Sequence, residues 1–502
     1  MSKENRLISF TALVFVLITQ FSYALSAQII EAKIKIESKT PTVIEIQGVN
    51  LDADSLQNVK NFSFTQSYAG VENLGERVSD VDLSDENKRK IEYKKLIAGE
   101  FLAEKPFVFW NYKVKADVPT NYAAMSRVSW ISAEQGILMF GDLLPQFNTK
   151  NNAKIRAKIS FELPKGWKIA SSEKKSGENT ENTFEVSDVE KAVFYIGKNW
   201  REREISVGNS KINFIISGER QFSDAEAFQM ADEIFGFYLK MFGAIPNQKA
   251  QIFLGKFPAE ATFGRWEAET RGASITIFSA EMPFKTQSLQ RLHEQLRHEI
   301  FHLWMPNNLN LSGNYDWFYE GFALYQALKT GVAVNRLRFE DFLDTLARAH
   351  GIDSLQSQKV SLIEASKNRW NGANTQIYAR GMLAAFLCDV AVLRASKGKN
   401  SIADIFQQIY RTHRQPNPQR EGNSAITDIL QTREELRPII EKYIKGAENI
   451  AWQTDLEWFG IESAEENFQT KLKVKAKLNN RQKDLLDKLG YNNWRKLSES
   501  SR

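Results

Sequence analysis

The chain has 502 residues, of which 42% are hydrophobic and 25% charged, and a net charge of +5. It is too long for one ordinary core, so roughly two to four domains are expected. The mild, interleaved charge argues against a nucleic-acid partner, as does the absence of zinc-finger spacing, an aromatic RNA-binding signature or a phosphate-cradling glycine loop.

The first segment, "MSKENRLISFTALVFVLITQFSYALSAQ", places Lys3 and Arg6 before an apolar run from Leu7 to Ile18 and small residues at Ala24, Ser26 and Ala27. This layout predicts a signal peptide over 1–27 and an exported, periplasmic or extracellular protein. The alternative is an uncleaved anchor, but the run is broken by polar residues and short of the about 20 residues a span needs. No stable membrane insertion is expected after cleavage. Cys388 is the only cysteine, so no intrachain disulfide framework exists. It lies in the apolar run "MLAAFLCDVAVL" and reads as a small core residue, not a nucleophile.

Residues 28–205 read as a β-rich domain. Ile30, Ala32, Ile34 and Ile36 alternate with polar residues, as do Ile155, Ala157, Ile159, Phe161 and Leu163 before a Pro164/Gly166 turn. Period-two runs between turns predict an antiparallel β-sandwich. From 206 to 340 the character is mixed α/β. "KINFIIS", "KAQIFLG" and "SITIF" are strand-like, and a helix opens at the Ser223/Glu226 capping box and closes at Gly243. Residues 285–305 and 316–330 read as helices, with Asp316 able to cap the second. Residues 341–460 read as an all-helical domain. Residues 461–502 read as a charged tail with one short helix near Leu485–Leu489.

The stretch "LRHEIFHLW" carries two of the chain's five histidines. At i and i+4, His298 and His302 project from one helix face and can bind one metal ion. Glu299 is rotated about 100° away and can reach a metal-bound water without ligating the metal. Leu292, Leu296, Ile300 and Leu303 make the helix a buried one, whose polar residues need partners. Glu320 lies among aromatics in "DWFYEGFALYQALKTG", where a carboxylate is costly unless it is paired or binds metal. Two histidines and one glutamate leave a position for water, the catalytic form of a zinc site.

Here the sequence resembles the gluzincin metallopeptidases, most closely the glycyl-aminopeptidase family and more distantly the alanyl-aminopeptidase family. "HEIFHLW" and "WFYEGFALY" carry the likeness. "FYLKMFGAIPNQKAQIFL", "IYARGMLAAFLCDVAVLRASKGKNSIADIFQQIY", "YIKGAENIAWQTDLEWFGI" and "GILMFGDLLP" with "ISFELPKGWKIAS" follow the family's order over residues 110–460. The resemblance implies a thermolysin-like α/β catalytic domain, one zinc ion on His298, His302 and Glu320, and Glu299 as general base. It also implies that Tyr378 stabilises the oxyanion; on its own, Tyr378 reads as a core aromatic. Glu267, in "GRWEA", matches the glutamate that binds a substrate's amino terminus, although Ala268 replaces the family's Asn or His. Arg380 stands where lysine is usual. The family's PDZ domain is not expected in the residues after 460.

The sequence thus predicts an exported zinc metallopeptidase acting on peptide or protein substrates, most simply an aminopeptidase. The alternatives are a zinc endopeptidase on the same scaffold, or a zinc-containing exported binding protein without catalysis. Oligomeric state is not legible.

Overall fold

The computed structural model describes residues 29–36, 42–52, 56–57, 60–149, 154–177, 182–244, 246–466 and 469–492. The predicted signal peptide, 1–27, lies outside them.

The N-terminal region is sheet-rich. Its largest sheet has seven strands, and its two alternating sequences form neighbouring strands, Ile30–Ile36 and Ala157–Glu162. Those two run parallel, while Ile30–Ile36 pairs antiparallel with Val43–Asn50. The sheet is therefore mixed, unlike the antiparallel arrangement expected. Alternation along a strand reports which face is buried, but it carries no information on the direction of the neighbour.

A second, four-stranded sheet contains Gln135–Met139, buried at every position. Its two faces serve different cores. Leu138 packs with the large sheet, whereas Ile137 and Met139 pack with Ile215, Phe253 and Phe278 of the next domain. Tyr195, from the same sheet, stacks on Phe253 with centroids 4.7 Å apart, and its hydroxyl donates to the Ile275 carbonyl at 3.0 Å. The two regions thus share an apolar layer, which fixes loops of the first over the second.

The next sheet has five strands in the order Trp200–Val207, Ser210–Ser217, Lys249–Lys256, Ser274–Ser279, Trp266–Arg271. Its first hairpin straddles residue 205, so this sheet starts at Trp200, inside the segment assigned to the first domain by sequence. The capping box forms as expected. Ser223 Oγ accepts the Glu226 N–H at 3.3 Å, and helix Asp224–Phe242 ends at Gly243 with φ 68°.

The C-terminal region is mostly helical. Helix Asn374–Ala395 is long and apolar enough to cross a membrane, yet 94% of its most apolar window is buried inside the protein. It is the core helix, and Cys388 on it is fully buried with its thiol pKa pushed up by burial. The segment expected to be a tail is folded up to residue 492. Strands Ile461–Glu466 and Gln469–Val474 form a hairpin, and helix Asn480–Leu489 follows. Leu472, Leu485, Leu486 and Leu489 join the main core. Dense surface charge masked these few anchors in the sequence.

Candidate metal centre

Helix Lys285–His302 buries Leu292, Leu296 and Ile300 against the sheet, which turns His298 and His302 to the opposite side. Their rings lie 4.4 Å apart and their Nε2 atoms 3.0 Å apart. Glu320 comes from a wide π-turn, Trp317–Phe322, a backbone form that recurs at functional sites. Its Oε2 lies 3.1 Å from His298 Nε2 and 3.6 Å from His302 Nε2. The three donor atoms fall within 4.8 Å of one another. His302 Nδ1 is 2.8 Å from the Met305 carbonyl, to which it donates, so Nε2 is the nitrogen turned to the cluster and, in the neutral ring, the one that carries the lone pair. Three acceptor atoms converging in a buried pocket fit a divalent cation.

Asp316 makes no helix cap. It accepts instead from Tyr319 Oη at 2.6 Å and from Arg369 Nη1 at 2.8 Å. Arg369 was not foreseen from the sequence, and it organises the site. Its Nη1 is 3.1 Å from Glu320 Oε1, and its Nη2 donates to Tyr378 Oη at 2.9 Å. Burial alone would raise the Glu320 pKa, but Arg369 and the two histidines hold it well below the usual range. Burial likewise opposes charge on His302, yet Glu320 and Glu299 lift its pKa to about 9. Burial and Glu320 push the Tyr378 phenol up, so it stays a proton donor.

Tyr378 and Glu320 meet because two helices cross closely. A Cβ on Gly321 would lie 2.5 Å from the Gly381 Cα, and one on Gly381 would lie 2.9 Å from the Gly321 Cα. Two glycines let the backbones touch, and Glu320 and Tyr378 sit one and three positions away. Arg380, between Tyr378 and Gly381, is buried among other partners. It reaches the Glu448 carbonyl at 2.7 Å, the Tyr443 carbonyl at 3.2 Å and Asp353 at 3.4 Å. It ties the helical domain together and is not a wall of the site.

The cluster opens into a cavity of about 610 Å³ lined by His298, Glu299, His302, Glu320, Arg369 and Tyr378. Glu299 is buried, and its Oε2 accepts from Thr270 Oγ1 at 2.6 Å. The edge strand Trp266–Arg271 supplies one wall with Ala268, Glu269, Thr270 and Arg271. Glu267 is not in that wall; it pairs with Arg265. The structure instead brings in Glu269, two residues on. Both glutamates share a strand face by alternation, and only the register, Glu269 opposite Thr276, decides which one reaches the cavity. Burial raises the Glu269 pKa, opposed by Arg127. Tyr68 Oη lies 3.2 Å and Arg127 Nε 3.7 Å from the Glu269 carboxylate. Tyr68 belongs to a loop of the N-terminal region, so the cavity is walled by all three parts of the chain.

Residues 63–193 match the Peptidase M61 N-terminal domain. A search of curated proteins gives no match. Among solved structures, the chain is similar to an aminopeptidase N family protein from Idiomarina loihiensis. The TM-score is 0.73 at 15% identity, over 87% of this chain and 79% of that one. It is also similar to an M1 zinc metallopeptidase from Deinococcus radiodurans, solved as a mutant bound to a Tyr-Ser-Ala substrate. That TM-score is 0.53 at 14% identity, over 83% and 93% of the two chains. These likenesses establish the fold: a sheet-rich N-terminal region and a helical C-terminal region arranged as in the M1 aminopeptidases.

Proposed function

We propose that the protein is an exported zinc-dependent metallopeptidase, most closely an aminopeptidase. The observation that carries this reading is the convergence of His298, His302 and Glu320, with Glu299 and Tyr378 on the same cavity. The M61 domain match and the M1-like fold support it.

His298, His302 and Glu320 would hold one zinc ion, which when bound acidifies a water and polarises a carbonyl. Glu299, fixed at Oε2 by Thr270, accepts a proton on Oε1 from the attacking water and returns it to the leaving amine. Tyr378, held at its oxygen by Arg369, turns its own proton toward the developing oxyanion. Neither Glu299 nor Tyr378 is needed merely to hold a metal, which disfavours a non-catalytic binding protein.

Glu269 is the residue we assign to the substrate's α-ammonium, in place of Glu267. Its half-buried carboxylate lines the cavity, and a bound ammonium favours its ionised form. The test is a digest of matched free and N-acetylated peptides after metal analysis of the purified protein. Stoichiometric zinc is expected, with stepwise trimming of free peptides only. Glu269→Gln should remove most of that preference by lowering activity on free peptides. Internal cleavage of acetylated peptides at an equal rate would promote the endopeptidase alternative.

A further inference from the structure

Trp370 follows Arg369 in the short turn Arg369–Asn371, just before helix Asn374–Ala395. It lines the metal cavity and is 43% exposed. The two tryptophans beside the cluster residues in sequence, Trp304 and Trp317, are fully buried. A large indole left open to a cavity is apolar surface without a cover. Its position is set by three neighbours. The Arg369 guanidinium lies 4.4 Å from the ring centroid and that of Arg127 5.1 Å. A Cβ on Gly70 would lie 2.9 Å from the indole Cε3, so the bare backbone of this glycine packs on the ring. Gly70, with φ 79°, belongs to the tight turn Tyr68–Val71 of the N-terminal region. All three neighbours line the same cavity.

These neighbours put the indole between the two groups that would hold a substrate's first residue. Arg369 touches Glu320 and Tyr378, where the scissile carbonyl would sit. Arg127 lies 3.7 Å from Glu269, assigned above to the α-ammonium. In an amino-terminal residue the ammonium, the carbonyl and the side chain all leave from one α-carbon. A substrate held at Glu269 and at Tyr378 therefore has that carbon beside the wall that Trp370 shares with both arginines. The charges on this wall already have partners. Arg369 pairs with Asp316 and Glu320, and Arg127 with Glu269. What the wall leaves uncovered is the apolar surface of Trp370.

We propose that Trp370 contacts the side chain of the substrate's first residue and sets a preference for bulky apolar side chains, Leu and Phe, over Gly. This assignment rests on the peptidase reading and on Glu269 as the amine anchor. Packing such a side chain on the indole removes apolar area of both partners from water. A Lys or Arg side chain would bring a third cation beside two guanidiniums, so basic first residues are disfavoured.

The test compares kcat/KM on the tripeptides X-Ala-Ala, with Gly, Leu, Phe, Lys or Glu as X, for the zinc-loaded whole protein and its Trp370→Ala variant. The parent should favour Phe and Leu over Gly by at least about tenfold, with Lys below Leu. In Trp370→Ala the Phe-to-Gly ratio should fall at least about fivefold. The ratio is the deciding quantity, because a structural defect lowers every substrate alike. A readout without turnover is the rise in melting temperature with free phenylalanine against free glycine. Phenylalanine should give the larger rise in the parent, and the difference should vanish in Trp370→Ala. An unchanged ratio, or equal losses for every X, overturns the assignment. A Glu peptide cleaved faster than the Leu and Phe peptides puts Arg127 in control and overturns it as well. Cleavage without the expected order refutes this proposal alone, whereas a zinc-loaded protein that cleaves none of the peptides refutes the peptidase reading and this proposal with it. If Trp370→Ala does not fold, Trp370→Gln decides by the same ratio.

Discussion

Replacing Arg369 by Met removes the one guanidinium that touches Asp316, Glu320 and Tyr378 together. Side-chain exposure is 9% for Arg369 and Asp316 and 10% for Glu320, so these charges are little screened. Breaking a buried ion pair costs about 3–5 kcal/mol because the remaining charge loses its partner. Here the loss falls at the lower end. Asp316 keeps its 2.6 Å bond from Tyr319, and Glu320 keeps the 3.1 Å contact with His298. The expected destabilisation of chelated protein is therefore about 3 kcal/mol, read as a lowered urea midpoint at unchanged slope. Metal-loaded protein should lose less, since a divalent ion on Glu320 supplies part of the missing charge. Arg369→Lys should recover only part of the loss, because an ammonium cannot bridge two carboxylates and a phenol in one plane. An effect of Arg369→Met below about 1 kcal/mol in chelated protein would refute the reasoning, since that is the range of a surface pair. So would an equal effect with and without metal.

Glu299→Gln should retain stoichiometric zinc, because the residue is not a ligand, yet lose about 10²–10⁴ in peptidase rate; parental activity would sink the mechanism, and lost zinc would make Glu299 a ligand. Tyr378→Phe should lower kcat about 10²-fold with little change in KM, as for one oxyanion donor, and an unchanged kcat would return Tyr378 to a packing role. The pKa of His302 is raised from 6.5 to about 9 in the metal-free fold, so its contribution is complete below pH 6.5 and lost as pH rises toward 9. Chelated protein should therefore lose at most about 3 kcal/mol of stability across that window, whereas metal-loaded protein, whose histidine must be neutral to ligate, should not. Urea midpoints at pH 6 and pH 9 measure this, and a flat profile for chelated protein would contradict the buried His302–Glu320 contact. For Glu320 the sign is opposite: its depressed pKa gives stability present above 4.5 and lost as pH falls further.

The candidate metal-binding cluster was legible because its residues obey local rules. His298 and His302 share a helix face by spacing alone, Glu299 follows from the same geometry, and a carboxylate among the aromatics around Glu320 announces a partner. The Ser223 capping box, the buried stripe of helix Lys285–His302 and the alternation of Ile30–Ile36 are equally short-range, and each formed. What only the tertiary structure decided depends on contacts between distant segments. The parallel pairing of Ile30–Ile36 with Ala157–Glu162 needed the neighbour's direction, which period two does not encode. Glu269 rather than Glu267 reaches the cavity because of a strand register set by Ser274–Ser279. Arg369 has no periodic signature; it finds Glu320 and Tyr378 only once Gly321 and Gly381 let two helices touch. The folded hairpin after residue 460 hides its core anchors among charges that satisfy themselves in water. Spacing along one element fixes which side chains share a face, whereas the meeting of faces from different elements is set by packing, which a single chain's pattern does not record.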